Sequence, residues 1–206
     1  MTKVIAICGP CHSGKSTLIK SLCARYKGDN RVLFVSDLQD VVWKSLVDTC
    51  SFRQFEEVYN DKDYLFTYVI TWVKKLGTIL KNNINRDNTL LVLDGGPLDI
   101  MIYTTLHLWF HYPSIEVQER VMEEILSYDR LIDKYYMVSE NDKTYPVGRD
   151  TLTLRQRMTD FLKNRNLELL LYSIYRDREK VCSLYDDVNK NFEALVAVIN
   201  LELEGK

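Results

Sequence analysis

The chain has 206 residues, with 27 Lys+Arg against 29 Asp+Glu, a formal net charge of −2 and 46% apolar residues. That length and apolar share suit one medium domain, 1–206, with a real core. The charge balance gives no global basic field of the kind used for sequence-independent nucleic-acid binding, and no apolar run approaches the ~20 residues of a membrane span.

Taken in chain order, short apolar runs alternate with longer helical patterns, which predicts a layered α/β domain with a parallel sheet. Lys3–Cys8 (KVIAIC) is continuous and β-branched, as a strand buried on both faces should be. A helical pattern follows from about Lys15 to Tyr26. Arg31–Ser36 reads as a second strand, with Asp37 at its C-terminal end. Across 38–60, Val41, Val42, Leu46 and Val47 allow a helix and the rest reads as loop. From Asp61 onward Leu65, Tyr68, Val69, Trp72, Val73, Leu76, Ile79 and Leu80 fall at helical spacing, an aromatic stripe expected to be core. Asp61 or Asp63 would cap it.

Thr89–Leu93 is a third strand, ending in Asp94 and broken by Gly95, Gly96 and Pro97. A helix from Leu98 to about Phe110 and an amphipathic helix after Ser114 come next. Lys134–Val138 supplies a fourth strand. The polar segment SENDKTYPVGRDT follows, then helical pattern over 154–164 and a fifth strand at Leu167–Tyr172. The last helix spans roughly Leu184–Glu202.

The five cysteines are Cys8, Cys11, Cys23, Cys50 and Cys182. The opening apolar run is too short for a signal-peptide core, so reduced thiols in a cytoplasmic protein are expected. Cys8 and Cys11 have C-x-x-C spacing, but no matching Cys/His pair stands at zinc-finger distance. Cys8 is expected to be a buried thiol ending a strand, and Cys11 a loop residue.

Between the first strand and the first helix stands GPCHSGKSTL, in which Gly9, Gly14, Lys15 and Ser16 satisfy G-x-x-x-x-G-K-[ST], the phosphate-binding loop pattern. A phosphate chain needs many N–H donors converging on one point, and only a tightly wrapped backbone supplies them. Gly9 and Gly14 permit that wrap, with His12 and Ser13 inside it. The helix beginning near Lys15 adds its N-terminal amides and dipole. Lys15 suits the β and γ oxygens of ATP, Ser16 a Mg²⁺ ion, and Thr17 the α-phosphate. The context, a strand before and a helix after, is the one the pattern requires.

Three further groups suit this chemistry. Asp94 ends a strand expected to lie beside the first, where its carboxylate would organise Mg²⁺; capping of the next helix is the plainer role. Asp37, at a strand end, suits acceptance of a proton from an acceptor hydroxyl, again against simple capping, with Asp40 and Asp99 as weaker substitutes. In the polar segment 139–157, expected to fold as a lid, Arg149 suits a transferring phosphoryl group best, with Arg155 and Arg157 on the following helix. Arg176 and Arg178 follow the expected fifth strand, where a nucleotide base often rests.

GPCHSGKSTL, LDGGPLDIMIY (93–103) and VGRDTLTLRQR (147–157), with the element order between them, resemble the P-loop nucleoside and nucleotide kinases. More narrowly, the chain is similar to the AAA-type kinase-like family that includes the ribosylnicotinamide kinase domains of NAD-regulating proteins. Asp94, Asp99 and Tyr103 match that pattern, while Gly95 stands where an arginine is usual. The resemblance implies a three-layer fold with a five-stranded parallel sheet, helices on both faces and a small lid. It also implies ATP-dependent phosphotransfer with Mg²⁺ to an acceptor it does not identify. A small nucleoside- or nucleotide-like acceptor would lie among residues 38–75 and 95–115, where aromatics suit a stacked base. Two alternatives stay open: a kinase acting on a nucleoside within DNA or RNA, using Lys74, Lys75, Lys81 and Arg86 as a basic track, and a nucleotide-binding switch with little turnover. Nucleic acid is the less favoured partner, and oligomeric state is left open, a homodimer included.

Overall fold

The computed structural model describes residues 2–9, 13–35, 62–86, 89–107, 114–138, 180–185 and 187–204. These residues form five strands: β1 (Lys3–Cys8), β2 (Val32–Val35), β3 (Leu90–Asp94), β4 (Lys134–Met137) and β5 (Val181–Ser183). Five helices accompany them: α1 (Lys15–Arg25), α2 (Lys62–Asn83), α3 (Pro97–His107), α4 (Ile115–Asp129) and α5 (Val188–Glu204). The strands pair in the order β2-β3-β1-β4-β5, every pair parallel.

The strand period of two splits the core between the sheet's faces. Val4, Ala6, Cys8, Leu91 and Leu93 point to one side, where Val69, Val73 and Leu76 of α2, Ile100 and Met101 of α3, and Val121 and Ile125 of α4 cover them. Ile5, Ile7, Leu90 and Val92 point to the other, against Leu18, Ile19 and Leu22 of α1 and Leu195 and Ile199 of α5. Helices therefore lie on both faces, as expected. The first strand is central, flanked by β3 and β4, which explains its unbroken apolar run.

One particular adds to the sequence-based reading and one corrects it. The fifth strand is Val181–Ser183, paired with Tyr135–Met137. Residues 167–172, expected to supply it, lie outside the described residues. At three residues and an edge position, β5 carries too little apolar pattern to stand out. The last helix begins at Val188 rather than near Leu184, because Asp187 caps it: its Oδ1 accepts from the amides of Asn189 at 2.8 Å and Lys190 at 3.1 Å.

The topology fixes where a ligand can sit. The helix after β1 packs on one face of the sheet and the helix after β3 on the other. Adjacent parallel strands whose connections diverge in this way open a crevice at their C-terminal ends. Gly9 and Asp94 stand at those ends.

Candidate nucleotide site

The loop between β1 and α1 is described at Gly9 and from Ser13 onward. Gly9 has φ +145°, and a Cβ built there would lie 2.5 Å from the Val138 carbonyl oxygen, so no side chain fits. Gly14 is the N-cap of α1 in the left-handed region, φ +93°, where glycine carries no steric penalty. Each glycine thus has its own reason: close approach to β4 for Gly9, a left-handed turn into the helix for Gly14.

The start of α1 is dressed unlike that of α4. There, Ser114 Oγ accepts from the Val117 amide at 3.3 Å and Glu116 stands in the first turn. At α1 no side chain caps the helix and no acid occupies its first turn. The positive dipole end and the first-turn amides of a helix begun in this way suit an anion. The Lys15 ammonium folds back and donates to the Gly9 carbonyl, on the loop itself. Ser16 and Thr17 are exposed at the crevice. Ser13 is buried, and its hydroxyl has no hydrogen-bond partner. A buried hydroxyl without a partner inside a glycine-framed loop fits a polar ligand.

Asp94 is the last residue of β3 and stands in register with Ile7 of β1, two residues before Gly9. The expected adjacency of these strands holds. The turn after Asp94 is tightly drawn. Gly95, φ +75°, donates its amide to the Ile7 carbonyl at 2.9 Å. Gly96 passes so close to β1 that an added Cβ would stand 3.1 Å from the Ala6 Cβ. Pro97 opens α3, and Asp99 lies buried in its first turn.

Cys8 ends β1 as a buried free thiol, as expected. Burial pushes it well up from its ordinary value, and the nearby Asp99 carboxylate adds to the shift while Lys15 opposes it. It is therefore a protonated core group rather than a nucleophile.

Of the aromatics proposed for the acceptor, Tyr68 and Trp72 are core, 1% and 2% exposed. They form a cluster with the half-buried Tyr103, ring centroids 5.5–6.1 Å apart. The stripe on α2 is core, as its periodicity predicted, and only Tyr103 of the three retains an accessible edge. Two members of the basic track can be placed. Thr2, just before β1, shares its hydroxyl proton between the Asn83 carbonyl at 2.7 Å and the Arg86 carbonyl at 2.5 Å. Lys81 and Arg86 therefore lie toward the N-terminal end of β1, with the phosphate loop at the other end of a strand about 20 Å long.

Sequence reasoning passed over the turn between β5 and α5. Val188 stands beside Gly14: its Cγ2 would meet a Cβ there at 3.6 Å. Beside it Tyr185 is 58% exposed and, with Asn189 and Lys190, lines a groove of about 560 Å³. The turn is held by Asn191, 1% exposed, whose amide accepts from the Tyr185 N–H at 2.7 Å and donates to the Tyr185 carbonyl at 2.8 Å. A capping Asp followed four residues later by a buried Asn was the available signal. His12, Asp37, Arg149, Arg155, Arg157, Arg176, Arg178 and the lid at 139–157 lie outside the described residues.

No protein-family model matches the sequence, and no curated protein matches it. Solved structures do. Thymidylate kinase from Candida albicans superposes over 97% of this chain and 91% of its own, at 16% identity and a TM-score of 0.56. Thymidylate kinase from Ehrlichia chaffeensis matches over 96% and 98%, at 13% identity and a TM-score of 0.57.

The chain has the P-loop kinase fold.

A third structure with this fold, the NadR protein in complex with NR, matches over 95% of this chain at 14% identity and a TM-score of 0.51. This chain spans 50% of that protein's length. Within the P-loop kinase fold, Gly9, Gly14 and Asp94 stand at the crevice that the sheet order creates. Among the described residues no helix is long and apolar enough to cross a membrane. Nor do three or more His, Cys, Asp or Glu side chains gather among them to hold a metal.

Proposed function

We propose that the chain is an ATP-dependent phosphotransferase acting on a hydroxyl or phosphate of a nucleoside, nucleotide or related small molecule. The observation that carries this reading is the start of α1. It opens from a strand end through two glycines, without a side-chain cap or a first-turn acid, with a lysine folded onto the loop. Such a loop suits the phosphates of a nucleoside triphosphate. The thymidylate kinases and NadR that share the fold make a nucleotide donor and a small acceptor the natural assignment.

In this reading Gly9, His12, Ser13, Gly14, Lys15, Ser16 and Thr17 hold the phosphates. Ser16 and Asp94 hold Mg²⁺, a set that agrees with the metal's habit of taking one or two protein oxygens, substrate phosphates and water. When bound, the ion offsets charge on the phosphate oxygens. Asp37 orients the acceptor hydroxyl and takes its proton, and Arg149 and Arg155 balance charge on the moving phosphoryl group. The turn after β5 is the resting place of the base in this reading. Tyr185 offers a ring there, and Val188 stands against the loop. Positioning and charge balance supply most of the rate.

The test is ADP release with Mg²⁺, ATP or GTP, and a panel of nucleosides, nucleotides and short oligonucleotides. Release that depends on a small acceptor is expected. Binding without release favours a switch, and release only with oligonucleotides favours the nucleic-acid alternative. Lys15→Ala is expected to lower turnover by about 10²-fold or more while the unfolding midpoint stays near wild type. Asp37→Asn should lower kcat by about 10²-fold and leave ATP affinity unchanged; undiminished kcat removes Asp37 from its role.

A further inference from the structure

Asp99 is buried at the C-terminal end of the sheet, and its two carboxylate oxygens face different elements. Oδ2 accepts from the Gly96 amide at 2.8 Å. Gly96 precedes the first turn of α3 and its carbonyl receives the Ile100 amide at 3.1 Å. That half of the carboxylate is an ordinary helix cap, an acid three residues into the helix reaching back to the amide at its start. Oδ1 does something a cap has no use for. It accepts from the Gly9 amide, at 3.4 Å, across a sequence separation of 90 residues. Gly9 is the first glycine of the phosphate loop, and its carbonyl is the group on which the Lys15 ammonium rests.

Gly9 is therefore gripped on both sides, by Asp99 through its N–H and by Lys15 through its C=O. The Lys15 grip must be exchanged for phosphate if Lys15 is to reach a nucleotide, whereas the Asp99 grip can persist. The setting is rigid as well as buried. The turn that carries Asp99 is pinned to β1 by the Gly95 amide on Ile7, and Gly96 lies hard against Ala6. The carboxylate's charge is felt by both Cys8 and Tyr135, on β1 and β4. A proton-accepting role toward substrate fits this geometry poorly, because both oxygens already face backbone amides.

We infer that Asp99 is a positioning residue of the phosphate site, holding the peptide of Gly9 in the orientation that lets the loop wrap an anion. The functional half of this inference rests on the kinase reading above; the tie between α3 and the loop does not.

Asp99→Asn separates cap from tie. Its single carbonyl oxygen can still accept from Gly96, while its NH₂ then meets the Gly9 N–H donor to donor. The experiment measures amide hydrogen exchange without nucleotide, together with calorimetric binding of Mg·ATP and Mg·GTP, on wild type, Asp99→Asn and Asp99→Ala. Faster exchange in the peptide spanning 8–14 of Asp99→Asn is expected, with exchange across α3 unchanged. A nucleotide Kd raised about tenfold or more is expected with it, set by loss of a charged acceptor. Asp99→Ala should loosen both segments. In turnover assays the Asp99→Asn defect should appear in KM for the nucleotide more than in kcat, with the pH profile unmoved. Unchanged loop exchange in Asp99→Asn overturns the tie. Faster exchange with unchanged Kd overturns the positioning role, and a collapse of kcat at constant KM makes Asp99 a catalytic group instead. Wild-type protein that gives no heat with either nucleotide overturns the kinase reading, while the exchange data still decide the tie.

Discussion

At the scale of single residues, the most constrained positions are the glycines around the crevice. Gly95 holds φ +75°, a conformation that strains any residue with a Cβ by roughly 1–2 kcal/mol. An arginine there would carry the same penalty on this backbone. Gly95→Ala is expected to lower unfolding free energy by about 1–2 kcal/mol in urea titrations, even though the nearest atoms to the new methyl, those of Asp99, lie at an ordinary 3.6 Å. A neutral result would show that the turn can adopt a right-handed alternative.

At the scale of elements, packing explains what periodicity could and could not reveal. α2 crosses α4 at Gly77, where a Cβ would stand 2.2 Å from the Tyr128 hydroxyl oxygen and 2.4 Å from its ring. Tyr128 is itself buried and donates to Glu124 at 3.0 Å, so the ring has little room to retreat. Gly77→Ala gains roughly 1 kcal/mol of helix propensity but overpacks this crossing at about 1–3 kcal/mol. A net loss of stability is expected in denaturant titrations; a gain would mean that Tyr128 swings aside freely. The sequence shows Gly77 only as an interruption in a good helix, because a contact between residues 77 and 128 has no local trace. β1 to β4 were legible for the opposite reason: buried parallel strands announce themselves as apolar runs, and their partners need not be known. β5 was not, since its three residues depend on β4 for their identity as a strand. In the site, Gly14 was legible because it answers to local backbone geometry, a left-handed turn at a helix start. The place of Val188 beside Gly14 arises from tertiary contact, and nothing in its neighbours along the chain records it.

At the scale of the whole molecule, the interior holds protons tightly. Burial pushes Tyr136 up from the ordinary 10.0 to about 12, and raises Tyr135 further, with Asp129 adding to the effect. Burial likewise raises Cys8. The native state thus keeps protons that the unfolded chain releases first. The stability these groups contribute is complete below about pH 9–10 and drains away as the pH climbs through 12. Alkaline titration by circular dichroism should show unfolding in that window, and Tyr136→Phe, which removes one such group, should move its midpoint upward. An unmoved midpoint would assign the transition to other groups.

The central place of β1 has a consequence for biogenesis. β1 is synthesised before β3 and β4 and cannot find its neighbours until they follow, and the sheet face holding Ile5 and Ile7 awaits Leu195 and Ile199 of α5. Native contacts here are long-range, so nucleation must close large loops and folding is slow by topology. A nascent or truncated chain stopping before residue 180 would carry β1 but expose the greasy side of that strand, and should be captured by chaperones or aggregate.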